Sequence, residues 1–380
     1  MTNLLLSAYD ADSHRRWREG VVAHCNQCEW TSLQLPARYF NWRIRGNSLS
    51  WALGERDTLT RPYQLILATS MVDLSTLKGL VPELSRTPSI LYFHENQFAY
   101  PVSEHQQYAL EPRMVNLYSA LAADALVFNT DYNRESFLLG VDKLLSKMPD
   151  AVPKGVTASL SVKSQVLAVP LEPNTFRVNR AGYKPPLEIV WNHRWEYDKG
   201  PQKLLGCLQA LPPQLQLKLH IIGQQFRREP EAFSDIHQLL TERNWLGHWG
   251  YLDNPSDYMQ LLQRCHLVLS TALHDFQGLS VLEAVAAGCI PLVPDRLAYR
   301  ELFPPSFRYT SHFENNQPQT HGAVESESAA CAAKIIEYYE RLASDAELPA
   351  LPNLQALSWS QLQARYSALF AEFSRPSGGL

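Results

Sequence analysis

Asp275 and Glu283 stand eight positions apart, on either side of a Gly278-Leu279-Ser280 step. An apolar strand, Leu267 to Ser270, leads into Asp275. A helix with Glu283 in its first turn then runs to Gly288, and a second apolar strand, Cys289 to Val293, follows. The segment reads as a βαβ unit. In an open parallel sheet, ligands gather outside the carboxyl ends of the strands, where a helix start offers free N–H groups. Amides for phosphate and carboxylates for hydroxyls suit a phosphorylated sugar.

A second pair of groups points the same way. Trp191-Asn192-His193-Arg194 follows an apolar run, and Lys199 comes five residues after Arg194. Two cations reaching one space at a sheet edge suit a diphosphate and would stabilise its departure without a metal; a pair of surface cations is the plain alternative. Gly223 ends another apolar run and reads as a tight turn. Tyr251 follows Gly250, where it could wall a nucleobase or simply pack. His94 lies just past Ile90 to Phe93, in the polar tetrad His94-Glu95-Asn96-Gln97. A histidine there can bond a sugar hydroxyl or a reacting oxygen, or serve as a structural residue.

The chain has 380 residues and a formal net charge of −4, so no global positive field recruits a nucleic acid. Any such partner must meet a local patch. Arg38, Tyr39, Phe40, Trp42, Arg43 and Arg45 interleave three arginines with three aromatics and no acid. That mixture suits phosphates and unpaired bases; the alternative is a half-buried strand with aromatics inside and arginines in water. Arg15-Arg16-Trp17-Arg18 repeats the composition. Cys25 and Cys28 lack the two further ligands of a structural zinc site and read as free thiols. Scattered cysteines and no apolar span point to a cytosolic protein with no membrane partner.

Stepping along the chain, strands alternate with helices: Asn3 to Ala8, Leu65 to Ala68, Ile90 to Phe93, Ala125 to Phe128, Gln165 to Val169. Ser13 reads as the N-cap of the first helix. A Pro-rich linker, Pro170 to Pro186, precedes a second alternating set from Leu187 to Val293. Residues 313–328, rich in Asn, Gln, Glu and Ser, read as an exposed loop before helices over 329–345 and 358–374. The expected architecture is α/β: two doubly wound Rossmann-like domains facing a cleft. They would cover 1–172 (acceptor) and 187–357 (nucleotide sugar), with a linker at 173–186 and a terminal helix at 358–380 packing back on the first.

Together these pieces resemble the GT-B retaining glycosyltransferases of the family 4 type, through Arg194 with Lys199 and an E-x7-E element in which Asp275 replaces the first Glu. The resemblance is closer to one branch, the tRNA-queuosine mannosyltransferases. It is carried by Tyr92-Phe93-His94-Glu95-Asn96-Gln97, Phe128-Asn129, His193-Arg194-Trp195-Glu196 with Asp198-Lys199, His274 through Pro304, and Pro36-Ala37 with Trp42-Arg43. Asp10-Ala11-Asp12 precedes Ser13-His14 where that branch has glycines.

The resemblance implies transfer of mannose, with retention, from GDP-mannose to queuosine in a tRNA anticodon, with no metal or other cofactor. It implies that Arg194, Lys199 and the Gly278-Leu279-Ser280 amides hold the diphosphate, with Gly223 and Tyr251 beside them. Glu283 would take a ribose hydroxyl and Asp275 the donor sugar, while His94 faces the reacting centre. Ser13, His14, Asn96, Arg38, Trp42, Arg43 and Arg45 would meet the acceptor. A transferase acting on a lipid, protein or small glycan, and a nucleotide-sugar-binding protein without catalysis, stand as alternatives. The oligomeric state is left open.

Overall fold

Runs such as Leu4-Leu5-Leu6 and Ile90-Leu91-Tyr92-Phe93 are fully buried, as expected of parallel strands covered on both faces. The computed structural model describes residues 2–100, 110–176, 183–226, 229–312 and 321–374. The chain divides into two compact units, Met1–Pro170 with Trp359–Leu380, and Leu171–Ser358.

The first unit holds strands β1 (Thr2–Asp10), β2 (Glu29–Pro36), β3 (Ile66–Thr69), β4 (Ser89–Phe93), β5 (Ala125–Phe128) and β6 (Ser164–Val166). They form one parallel sheet in the order β2-β1-β3-β4-β5-β6. The chain leaves β1 towards β2 and returns on the other side to β3, which puts the strand-order reversal between β1 and β3. The second unit holds β7 (Leu187–Asn192), β8 (Leu217–Ile222), β9 (Leu246–Gly250), β10 (Leu267–Leu269), β11 (Ile290–Pro294) and β12 (Arg308–Tyr309). Its parallel order, β12-β11-β10-β7-β8-β9, reverses between β7 and β10. Each reversal opens a crevice at the strands' carboxyl ends, where ligands of such sheets bind.

The terminal helix, Trp359–Phe373, belongs to the first unit. Trp359 lies over Gly20, where a Cβ would come within 2.4 Å of the indole. The Tyr366 hydroxyl accepts from Trp17 Nε1 at 3.0 Å and donates to the Ala168 carbonyl at 3.0 Å.

Several local expectations are corrected. The Arg38–Arg45 segment is no strand: a helix runs over Phe40–Gly54, its start fixed by the Tyr39 carbonyl accepting from Trp42 and Arg43. Ser13 caps nothing; the first helix begins at Asp12 after Ala11, and Ser13 is exposed on it. Of the expected loop at 313–328, residues 321–328 are helical within His321–Ala343, and 313–320 lie outside the described residues. Glu283 falls in the second turn of the Leu279–Ala286 helix, not the first. Residues 177–182 of the expected linker are outside the description; Leu171 already belongs to the second unit, its N–H bonded to the Leu357 carbonyl at 2.8 Å.

Candidate active site

In the second unit the loops after β7 and β10 meet at the strand-order reversal. Gly200, at φ 67°, sits so close to the Thr271 carbonyl that a Cβ would approach its oxygen to 2.2 Å. Gly223, at φ 136°, presses on the His193 carbonyl in the same way, at 1.9 Å. Gly223 thus has to be glycine for close backbone approach. Trp191 Nε1 donates to Thr271 Oγ1 at 2.9 Å, and Arg296, buried, donates from Nε to the Ala272 carbonyl at 2.9 Å. Arg296 is itself held by Glu327 at 2.8 Å, so the loop that ends in Asp275 is tied down on two sides.

Lys199 is buried at 9% exposure. Its ammonium donates to the His274 carbonyl at 2.8 Å and lies 3.3 Å from Asp198 Oδ2 and 3.7 Å from Asp275 Oδ2. Burial alone would raise the Asp275 carboxyl; Lys199, then His193 and His274, outweigh it and hold the group below the ordinary aspartate range. Asp198 is lowered for the same reason, burial being overcome by Lys199. The two histidines stay neutral. Burial, then Lys199, takes His193 down to about 3 and His274 down to about 4.

Asp275 accepts from the Gly278 N–H at 2.9 Å through Oδ1 and from the Tyr299 hydroxyl at 3.1 Å through Oδ2. An ionised carboxylate only accepts, and this fixes every proton upstream. Tyr299 must donate to Asp275, so Ser270 Oγ, 2.9 Å from Tyr299 Oη, donates to Tyr299. His193 Nε2, 3.0 Å from Ser270 Oγ, then carries the ring proton. The Gly278 amide is thereby spent on Asp275 and is not free for phosphate, correcting the expectation for it; Leu279 and Ser280 remain at the helix start.

Glu283 accepts from the Tyr258 hydroxyl at 2.6 Å, and Tyr258 accepts from Asn192 Nδ2 at 2.7 Å. Ser280 Oγ donates to the Asn192 carbonyl at 2.6 Å, which binds the helix start to the end of β7. Arg194 is partly exposed and paired to Glu196 at 2.9 Å. Tyr251 is half-exposed just past β9.

In the first unit, His94 is buried beyond β4, its Nε2 enclosed and without a hydrogen-bond partner. Burial, then the neighbouring His14, keeps its pKa well below 6.5, so the ring is neutral. The His14 ring stacks on it at 4.2 Å. His14, expected to meet the acceptor, is buried and paired with Glu95 at 2.9 Å. Burial pulls the His14 pKa down, yet Glu95 overrides this and raises it. Glu95 accepts from Ser70 Oγ at 3.3 Å through its other oxygen.

Asn96 is also reassigned. Its Nδ2 donates to Asn133 and Ser136, and its Oδ1 accepts from the Phe98 and Ala99 amides, so it builds the loop. Arg45 is half-exposed and pairs with Asp73 at 2.6 Å and Glu111 at 3.3 Å. In the Arg15–Arg18 segment, Trp17 is core and Arg18 pairs with Asp10 at 2.9 Å. Arg38, Trp42 and Arg43 stay on the surface, Arg43 partly covered and Trp42 52% exposed.

Glu188, His220 and Cys265 bring three metal-type donor atoms within 4.8 Å of one another. His220 Nδ1, however, accepts from the His248 amide at 2.9 Å. With Nδ1 accepting, the ring proton is on Nε2 and is donated to Glu188, and a metal on Nε2 would need an imidazolate. The cluster is a hydrogen-bond network in which Glu188 also pairs with Arg264 at 3.5 Å.

Tyr299, Ser270, His193, Tyr258, Asn192 and Glu95 were not singled out from the sequence. Ser270 and Asn192 follow an apolar run directly and His193 and Glu95 come one residue later, a usable signal; Tyr258 and Tyr299 carry none, since they lie on helices remote in sequence from their partners.

Two parallel sheets, each with a strand-order reversal, and a strand-end cluster of carboxylates, lysine and arginine are the architecture of the GT-B fold. Solved structures agree on the fold. Anabaena HepE in complex with UDP and glucose is 15% identical, with 98% of each chain covered and a TM-score of 0.62. Sucrose-phosphate synthase from Thermosynechococcus elongatus is 13% identical, with 98% of each chain covered and a TM-score of 0.64. Residues 175–323 match the family described as glycosyl transferases group 1. Residues 2–171 match the tRNA-queuosine alpha-mannosyltransferase N-terminal family. The Drosophila melanogaster tRNA-queuosine alpha-mannosyltransferase is 32% identical over 319 residues, covering 81% of this chain and 83% of that protein. The chain belongs to the tRNA-queuosine alpha-mannosyltransferase family. Among the described residues, no helix is long and apolar enough to cross a membrane.

Proposed function

We propose that this chain transfers mannose, with retention, from GDP-mannose to queuosine in a tRNA anticodon. Its membership of the tRNA-queuosine alpha-mannosyltransferase family carries the reading. The geometry after β7 and β10 supports a working site rather than a decayed one: Asp275, though shorter than the Glu of its relatives, is ionised and held by Gly278 and Tyr299.

In this scheme the donor diphosphate displaces Glu196 from Arg194 and draws on the Lys199 charge and the Leu279 and Ser280 amides. Charge that develops on the leaving phosphate is met by groups already fixed in place, which is where such stabilisation is largest. Glu283, one oxygen of which is held by Tyr258, takes a ribose hydroxyl. Asp275 accepts from hydroxyls of the mannose through the remaining lone pairs of its oxygens. The acceptor hydroxyl attacks C1 on the face the phosphate leaves. The new C1–O bond forms as the C1–O(phosphate) bond breaks, and the acceptor's proton passes to the departing phosphate oxygen. Neutral His94 belongs to the first unit, to which the scheme assigns the acceptor. Arginine, lysine and amides do the work that a divalent ion does elsewhere, so the scheme is metal-independent.

The test is direct. Purified protein is incubated with queuosine-containing tRNA and, separately, GDP-mannose, UDP-glucose or UDP-galactose, with and without EDTA, and the digested nucleosides are weighed. A hexose on queuosine with GDP-mannose alone, undiminished by EDTA, is expected. Hydrolysis of donor with no shift in queuosine would keep the transferase and discard the tRNA acceptor. Transfer only from a UDP-sugar would discard mannose.

A further inference from the structure

The segment after β2 leaves Trp42, Tyr39 and Arg38 on the surface. Trp42 is 52% exposed and Tyr39 is 72% exposed, large aromatic areas to leave in water. The Trp42 indole lies against the bare backbone of Gly46, one turn on. A Cβ there would stand 2.4 Å from the ring. Glycine in a helix interior costs about 1 kcal/mol relative to alanine, and here it lets the indole lie down on its own helix with the opposite face outward. Tyr39 holds φ 55°, a left-handed conformation unfavourable for a bulky residue, at the point where its carbonyl starts the helix. The Arg38 guanidinium sits over the Tyr39 ring at 5.8 Å. Arg43 flanks the indole in sequence, and no acid occurs from Pro36 to Gly46.

We propose that Trp42, seated on Gly46, is a stacking platform for an unpaired base of the tRNA anticodon loop, with Tyr39 as a second aromatic face and Arg38 and Arg43 on the adjoining phosphates. The inference rests on the acceptor assignment above and deepens it by naming the surface that meets the loop. Stacking on aromatics with arginine on the backbone is the chemistry by which single-stranded nucleic acid is held. A chain of net charge −4 must place that chemistry locally. Leu49 and Leu53, exposed on the same helix, extend an apolar surface and make a second copy of this chain the rival occupant.

The experiment measures tRNA affinity at several salt concentrations for the parent, Trp42→Ala, Trp42→Phe, Gly46→Ala and Arg43→Ala. Circular dichroism and the first-unit unfolding transition are measured on each sample as the control for folding, and size-exclusion chromatography reads the oligomeric state. Trp42→Ala is expected to weaken tRNA binding about tenfold or more without changing the slope of log K against log salt. Trp42→Phe should restore part of the loss. Gly46→Ala should weaken binding despite alanine's better helix propensity, because its methyl lifts the indole. Arg43→Ala should instead reduce the salt slope by about one phosphate contact.

Parent-like tRNA affinity for Trp42→Ala and Gly46→Ala would overturn the platform. So would a Trp42→Ala effect confined to self-association, which would give the face to a second copy. A parent that fails to modify queuosine while still binding donor counts against the acceptor assignment, and is told apart because it appears before any substitution.

Discussion

Lys199 is the cation on which three acceptors converge, the His274 carbonyl and the carboxylates of Asp198 and Asp275. Removing one partner of such a buried group leaves the others uncompensated, which costs about 3–5 kcal/mol. Lys199→Met, close in volume, should lose about that much stability at pH 7, read by urea unfolding of the second unit, and should abolish tight donor binding. The pH dependence distinguishes the cause. In the parent both carboxyls titrate below the usual aspartate value. The stability they bring is complete above that value and is lost only as pH falls through their lower folded-state pKa. In the variant burial is unopposed by Lys199 and raises them, so their cost is relieved on acidification. The gap between parent and variant should therefore be widest at pH 7 and close towards pH 4. A gap independent of pH would mean that the lysine stem, not its charge, is what the loop needs.

At the scale of elements, the turn from β10 into the Leu279–Ala286 helix brings the site together. Gly278 has φ 67°, and a Cβ would stand 2.8 Å from Tyr299 Cε1. Gly278→Ala should cost about 1–2 kcal/mol for the left-handed backbone alone. By pushing Tyr299 off Asp275, it should also weaken GDP-mannose binding about tenfold or more, measured by titration calorimetry. Donor affinity equal to the parent's would show that Tyr299 does not position Asp275.

This turn was legible in the sequence because its ingredients are contiguous: an apolar run, Asp275, Gly278, then helix. The parallel strands β1, β3 and β4 were legible for a similar reason, being short runs of mostly apolar residues, and β7 and β8 because apolar residues dominate them around Glu188, Lys218 and His220. β2 and β9 were not, since their residues are mostly half-buried and carry no apolar run. Tyr39, Phe40 and Trp42 made a strand a fair alternative at Arg38–Arg45, because aromatics favour extended chain; the register of Ile44, Gly46, Asn47, Ser48 and Trp51 on a buried face decided for helix. The polar Glu-Ser-Glu-Ser run hid the start of the His321–Ala343 helix. Tyr299 and Tyr258 escaped because hydrogen bonds between distant segments leave no local spacing.

The whole molecule keeps two separate buried cores, one in each unit, and the chain returns to finish the first. Trp359, 1% exposed, lies on Gly20 and stacks on His24 at 4.7 Å, while Tyr366 anchors to Trp17 and Ala168. The first unit therefore completes its packing only when the last helix arrives, long after the second unit's sequence has been read out. Trp359→Ala should leave a cavity costing about 3–5 kcal/mol, and that loss belongs to the first unit alone. Because each unit has its own core, calorimetry of the variant should show a lowered first-unit transition and a second-unit transition near its parent position. GDP-mannose binds only the folded second unit in this scheme, so it should raise that transition as RT ln(1 + [L]/Kd) and leave the lowered one in place. A single transition that shifts as one in the variant, and that donor raises as a whole, would mean that the two units fold as one cooperative body and that the last helix stabilises both.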